Sequence, residues 1–310
     1  MKCPNCGGGH AVKKGFYYSQ KDGAKSSQRY NCLGCNRQFR ILISDEVKET
    51  RDLPRILLLD IETAPMEVYV WGLYKQFIPH GNVIKDWCIL SWVAKWLYDD
   101  ETKSDLVTAE EAMERNDKRI VQSIHKLLDD ADIIIGHNLD RFDDRKIKAR
   151  FITNGIEPPS PYRTVDTLKI TRREFALPSY KQDYLTKYFG LTNKINVSEF
   201  GGFELWKNCV TGNSKALDDM LYYNKYDVIG LEELYLKVRP YIKNHPNLGV
   251  LMDEDTCPNC ASEHLEETDS TYFTAANKFP VYRCLNCRTP YIRHKKNSNT
   301  VQTNMRSVPK

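Results

Sequence analysis

Eight of the ten cysteines stand in two sets at opposite ends of the 310-residue chain: Cys3, Cys6, Cys32 and Cys35, then Cys257, Cys260, Cys284 and Cys287. Each set is a pair of CxxC steps, separated by 25 residues in the first and 23 in the second. A CxxC step brings two thiolates to one place, and two such steps supply the four soft ligands of a tetrahedral zinc site. Disulfide pairing competes for the same residues but requires an oxidising compartment, and the opening MKCPNCGGGH has no apolar stretch of the kind a secretory leader carries. A cytoplasmic location is therefore expected, a host's cytoplasm if the chain is viral. Two small metal-held modules at the ends leave the long middle to build the main core.

The two ends also share wording. CPNC recurs, and RYNCLGCNRQF parallels VYRCLNCRTPY, so the modules read as copies of one unit. Each resembles a zinc ribbon, and the first is similar to the ribbons near the start of some transposases. A ribbon of this size has little core of its own, and the metal supplies much of its folding free energy. Residues 1 to 43 carry eight Lys/Arg against one acid, and residues 257 to 310 carry eight against four, while the remainder holds 29 against 36. Basic ends around an acidic middle suit ends that grip a polyanion and a middle that holds cations. In the first module Lys13, Lys14, Arg29 and Arg37, with Lys21, Lys25 and Arg40, alternate with Phe16, Tyr17, Tyr18 and Tyr30, a mixture fit for phosphates and bases. The bland alternative is that the aromatics fill a tiny core and the lysines keep it soluble. Protein contact, with a replication or repair factor, is a further use for a ribbon.

No apolar run approaches the twenty or so residues of a membrane helix, so no membrane partner is expected. Ser44 to Pro54 is polar and reads as a linker, drawn at 44–52. RILLLDIET then predicts a buried strand with Asp60 and Glu62 near its end, two residues apart and so on one face. In WCILSWVAKWLYDD, Leu90, Trp92, Ala94, Trp96 and Tyr98 point one way. Residues 99 to 117 read as mostly polar connection, followed by a helix from about Arg115 to Asp130, the short strand ADIIIGHN, a helix through Lys146 to Ile152 and a strand around Tyr162 to Val165. A helix with Tyr184, Leu185 and Tyr188 begins near Ser179, residues 192 to 213 look loop-rich, and a long helix spans about Ser214 to Tyr241. Alternating strands and helices imply an α/β sheet domain over 53–245, with ribbons at 1–43 and 255–293 and a basic polar tail at 294–310.

Acidic residues recur at chosen places in that pattern: Asp60 and Glu62 in DIET, Asp143 in NLDRFD, and Asp227 four residues after Tyr223 in YNKYD. Two divalent ions about 3.5–4 Å apart need several carboxylates that are remote in sequence yet converge. Singly each acid has an ordinary explanation, as a cap or a surface charge; the joint order is far more specific. In that order the chain resembles the DEDD superfamily of 3′–5′ exonucleases, the branch with tyrosine in its third motif. NLDRFD is similar to the second motif of family B DNA polymerase proofreading domains, and VDTL and KYFGL look more like stand-alone, bacteriophage-associated RNase H-like exonucleases. The resemblance covers about residues 53 to 242.

It implies an RNase H-like mixed sheet with helices on both faces, flanked by the two β-rich zinc ribbons. It also implies that Asp60, Glu62 and Asp227 bind one Mg2+ or Mn2+, that Asp60 bridges to a second held by Asp143, that Tyr223 positions the attacking water, and that Asn138 places the substrate or Asp143. From the residues alone Asp144 remains the alternative to Asp143. His137 reads as a hydrogen-bonded strand-end residue, and Cys88 and Cys209 as core filler. The expected activity is metal-dependent 3′–5′ exonucleolysis of DNA, single-stranded ends foremost, with DNA favoured over RNA. The competing readings are a structure-specific endonuclease or transposase-like enzyme, and a catalytically inactive zinc-ribbon adaptor for nucleic acid or a replication protein.

Overall fold

The computed structural model describes residues 54–192, 199–252, 255–275 and 277–293, together with Cys3, Pro4, Cys6, Cys35 and the runs 11–18, 25–32, 37–42 and 305–307. The linker at 44–52 lies outside the described residues, as does the tail at 294–310 apart from Met305–Ser307. The chain divides into two compact units, Ile56–Tyr235 and the combination of Met1–Arg55 with Leu236–Lys310. Among the described residues no helix is long and apolar enough to cross a membrane.

The N-terminal module is an antiparallel sheet of β1 (Ala11–Tyr18), β2 (Lys25–Cys32) and β3 (Gln38–Leu42) in that order. Ala11 pairs with Cys32, Tyr30 pairs with Phe39, and the two rings stack at 5.5 Å.

The central unit is built on β4 (Ile56–Thr63). A short pair, β5 (Glu67–Val68) and β6 (Val83–Lys85), precedes β7 (Ile89–Trp96) and β8 (Thr102–Leu106). There follow α1 (Ala109–Glu114), α2 (Lys118–Asp129), β9 (Ile133–Gly136), α3 (Asp143–Asn154), β10 (Arg163–Asp166), α4 (Thr167–Glu174), α5 (Gln182–Tyr188), α6 (Phe203–Val210) and α7 (Ser214–Val238). The sheet order is β10-β9-β4-β7-β8, with β4 parallel to β9 and antiparallel to β7. Central position explains the apolar run of β4: Ile56 to Leu59 are all buried, as is every residue of β7. Leu57, Leu59 and Ile61 share one face of β4 and pack with Trp92 and Trp96 against Ile120 and Ile124 of α2 and Ile147 and Phe151 of α3.

The residues expected to form one polar connection at 99–117 instead hold β8 and α1. As an edge strand β8 is only half covered, so its sequence TKSDL carries little apolar signal. The start of α1 was legible: Thr108 accepts from the Glu111 N–H and Glu111 reaches back to the Thr108 N–H, a complete capping box. Residues 192–213 likewise contain α6, which buries Leu205 and Cys209. Burial pushes the Cys88 thiol up to about 11 and that of Cys209 to about 12, as suits filler rather than nucleophiles.

Beyond α7 the chain forms α8 (Leu248–Met252) and then a second module of β11 (Leu265–Phe273), β12 (Lys278–Cys284), β13 (Pro290–Arg293) and β14 (Met305–Ser307), paired in that order. The repeat seen in the sequence extends to its geometry. Leu265 faces Cys284 as Ala11 faces Cys32, and Tyr282 stacks on Tyr291 at 5.8 Å as Tyr30 does on Phe39. The Cys32 N–H donates to the Arg37 carbonyl at 3.0 Å, and the Cys284 N–H to that of Thr289 at 3.1 Å.

Candidate metal centre and the cysteine modules

Past Leu59 the burial of β4 begins to alternate: Ile61 stays in the core while Asp60, Glu62 and Thr63 are half-covered. Asp60 and Glu62 share the face of Leu58, on the side of the sheet opposite the Leu57–Leu59–Ile61 cluster. Their β7 partners point the same way, Glu62 beside Ser91 and Leu58 beside Lys95. The middle of α7 is fastened to those partners. Asn224 donates to the Ser91 hydroxyl at 3.3 Å, and Glu232 forms an ion pair with Lys95 and accepts from the Tyr98 N–H at 2.8 Å. Asp227 lies between the two anchors, as Asp60 lies between Leu58 and Glu62. The outcome is that one carboxylate oxygen from each of Asp60, Glu62 and Asp227 falls within 4.8 Å of the others.

Asp143 comes in from the other edge of β4. The parallel ladder with β9 ends at Leu58, where β9 stops at Gly136 and the chain turns toward α3. A backbone N–H left beyond a ladder needs an acceptor. The Asp143 carboxylate supplies it, accepting from the Ile61 N–H at 3.1 Å. Asp143 is thus one hydrogen bond from the peptide between Asp60 and Ile61, outside the three-residue group. It is buried, and burial first, then the Asp166 and Asp144 charges, raise its pKa to about 7. Asp144 is turned elsewhere: the Tyr162 hydroxyl donates to it at 2.7 Å and Lys148 pairs with it at 2.8 Å. Asp140 pairs with Lys169 at 2.6 Å.

The turn that aims Asp143 is tight. A Cβ on Gly136 would sit 2.8 Å from that of Leu139, which only glycine avoids. Asn138 adopts the left-handed conformation (φ 68°), which asparagine tolerates better than most residues, and its carbonyl accepts from the N–H groups of Arg141 and Phe142. The Asn138 N–H donates to Asp166, a buried carboxylate that also takes the N–H groups of Asp140, Leu168 and Lys169. The sequence reading passed over Asp166 as a positioning residue, although an acid opening VDTL is an ordinary N-cap signal. His137 is a strand-end residue held at both nitrogens, Nε2 by the Tyr180 carbonyl and Nδ1 by the Thr167 hydroxyl, and burial lowers its pKa.

Tyr223 precedes Asp227 by one turn of α7 and packs partly against the core. Tyr222 packs against Tyr226 with the rings tilted by 50° and 4.7 Å between centroids, and the hydrogen bond between their hydroxyls raises the Tyr222 pKa. From the other side of α7, Gln182 of α5 donates to the Asp227 carbonyl at 2.7 Å. That approach explains a glycine in mid-helix: a Cβ on Gly230 would lie 3.3 Å from both the Thr186 methyl and the Thr192 carbonyl. A cavity of about 620 Å3 adjoins the acidic strand end, lined by Thr63, Met66, Trp87, Lys146, Phe203 and Trp206. Lys146 lies 3.8 Å above the Trp87 ring.

In the N-terminal module Cys3 and Cys35 are 3.7 Å apart at sulfur and Cys6 and Cys32 3.5 Å; in the C-terminal module both corresponding pairs are at 3.6 Å. Disulfide bonds of about 2.05 Å are far shorter. In each module all four sulfurs fall within 4.8 Å of one another. Of the basic residues expected to meet substrate, Arg37 is exposed, whereas Lys13, Lys14 and Arg29 lie on strands with side chains outside the described set.

The strand order, mixed pairing and helices on both faces define the central fold. It is RNase H-like. Residues 89–239 match the family model RNase_H_2 of the RNase_H superfamily, a span that includes Asp143, Tyr223 and Asp227 and begins after Asp60 and Glu62. Protein NEN2 of Arabidopsis thaliana is 35% identical over 81 residues, 24% of this chain and 17% of that protein. Among solved structures, the family B DNA polymerase of the hyperthermophilic archaeon Pyrobaculum calidifontis aligns with 71% of this chain and 30% of its own, at a TM-score of 0.45 and 16% identity.

Proposed function

We propose that the central unit is a metal-dependent 3′–5′ exonuclease that hydrolyses the phosphodiester bonds of DNA, acting on single-stranded ends. The observation that carries this reading is the convergence of Asp60, Glu62 and Asp227 from a strand and a helix far apart in sequence, with Asp143 one hydrogen bond away. Oxygen donors of this kind suit Mg2+ or Mn2+. Asp60, Glu62 and Asp227 would hold one ion and Asp143, with Asp60, a second; bound there, such ions activate water and neutralise charge on the phosphate. Tyr223 offers its hydroxyl to the attacking water. Asn138 and Asp166 hold the turn that aims Asp143, and the cavity beside Thr63 takes the terminal nucleoside against Phe203 and Trp206.

The two cysteine modules are zinc ribbons in this reading. Sulfurs 3.5–3.7 Å apart agree with the edge of a tetrahedron with Zn–S bonds of ~2.3 Å. The basic first ribbon, through Lys13, Lys14, Arg29 and Arg37, adds phosphate contacts. The deciding experiment incubates end-labelled single-stranded DNA and RNA with wild type and Asp60→Asn in Mg2+ or Mn2+. A ladder shortening from the 3′ end with wild type and none with the variant is expected; equal cleavage by both would remove Asp60 from the centre, and internal nicking would replace exonuclease by endonuclease.

A further inference from the structure

Between β5 and β6 the chain runs out as an arm. At its root the Tyr69 N–H donates to the Asn82 carbonyl, Arg115 pairs with Glu67 at 2.8 Å, and Lys85 donates to the Met113 carbonyl. These bonds tie the base of the arm to the end of α1. Beyond them the arm turns its large side chains into solvent: Trp71 is 100% exposed, Phe77 91%, Leu73 89% and Tyr74 86%. Burying one such ring is worth a few kcal/mol, so a tip that leaves four large apolar groups in water contributes nothing to the fold that would explain them.

Three features point to what lies on this arm. Its root continues the wall of the aromatic cavity, since Thr63 and Met66 line that cavity and Tyr69 follows three residues later. Residues 69 to 82 contain Lys75 and His80 and no carboxylate, in a chain whose middle is otherwise acidic. Planar rings beside a cation accept bases and phosphates together. Reach also fits: the eight residue-to-residue steps from Thr63 to Trp71 extend at most ~29 Å, a span on the order of several nucleotides of single strand.

We propose that the arm around Trp71, Tyr74 and Phe77 is a base-stacking platform that holds the single-stranded segment upstream of the terminal nucleotide. The inference rests on the nuclease reading for the course of the strand. Stacking on every base irrespective of sequence lets a strand advance toward the carboxylates without being read, and double-stranded nucleic acid, whose bases are stacked on each other, gains nothing from it.

The test uses the full chain carrying Asp60→Asn, so that affinity is measured without cleavage and its outcome does not depend on whether the centre hydrolyses. Trp71→Ala/Tyr74→Ala/Phe77→Ala is compared with the ring-keeping Trp71→Phe/Tyr74→Phe on a fluorescent fifteen-residue oligo(dT) and on an abasic strand of equal length. The alanine variant is expected to bind oligo(dT) about tenfold or more weakly, as loss of at least one stacked base implies. It should leave the abasic strand unaffected, and the ring-keeping variant should retain wild-type affinity. Unchanged affinity for oligo(dT) overturns the proposal, including the case in which the alanine variant changes only the sedimentation of the protein, which would make the arm a contact between copies. A second readout restores Asp60 and follows the p-nitrophenyl ester of thymidine 5′-monophosphate, too short to reach the arm. Equal hydrolysis with and without the arm's rings is expected; loss of it in the alanine variant would show that the rings act on the fold of the centre, and the proposal falls.

Discussion

The cysteine modules and the carboxylate centre gather their groups in opposite ways. In each module four sulfurs come from two tight turns at most 32 residues apart, with a core of little beyond the cysteines, Leu265, Tyr282 and Tyr291 in the C-terminal copy. The carboxylates come from positions as distant as 60 and 227, and a full sheet with helices on both faces carries them there. On the proposed reading as a zinc ribbon, a module of the first kind draws much of its folding free energy from the ion. A centre of the second kind is shaped by packing and buried anchors, and an ion only relieves the repulsion among its acids.

Removing zinc should break that comparison most visibly. Structural zinc supplies on the order of 10–16 kcal/mol of apparent free energy in small modules. Stripping it with a thiol reagent should consume four thiols and release one zinc ion per module and open both to proteolysis, while the central unit keeps its circular dichroism and its melting transition. Glu232→Ala attacks the second arrangement instead. It leaves Lys95 buried without its partner, at a cost of about 3–5 kcal/mol, and loosens α7 over the centre. Denaturant titration should show the loss with zinc content unchanged, and Lys95→Met added to Glu232→Leu should recover most of it. Cleavage should fall in both.

Magnesium or manganese at a hundred times its dissociation constant should stabilise the central unit by about 2.7 kcal/mol. Calorimetry on the zinc-loaded protein would register this, and Asp60→Asn should abolish it. A further effect concerns protons. Without divalent ions Asp143 keeps its proton up to about 7 in the folded protein, against an ordinary value of 3.8. The folded state therefore binds a proton that the unfolded chain releases across that window. Its contribution is fully present below about 3.8 and is lost as pH rises through about 7. Stability of the metal-free protein should decline over that range, and Asp143→Asn should flatten the slope.

Legibility in the sequence follows the same division. The cysteine spacing is local and declares its geometry, and DxE on an apolar strand implies a shared face before any fold is known. The pairing of Asp60 and Glu62 with Asp227 rests on long-range anchoring, yet the order of the motifs points to it. The choice between Asp143 and Asp144 does not follow from neighbouring letters. Adjacent residues in the first turn of α3 point about 100° apart, and which of them meets Ile61 is set by the Gly136–Asn138 turn and by Asp166 beneath it. Strand β8 was hidden because half of it faces water, and the arm because an apolar loop looks like core until its exposure is known.

One consequence of the way α7 is held concerns how such a chain can vary. Asn224 and Glu232, a little over two helical turns apart, grip Ser91 and Lys95 of β7, and a rod held at two points can neither slide nor roll. Insertions and deletions in the chain ahead of α6 are therefore absorbed before they reach Asp227. A single residue added between 224 and 227, by contrast, would turn Asp227 about 100° relative to the Asn224 anchor and away from Asp60 and Glu62.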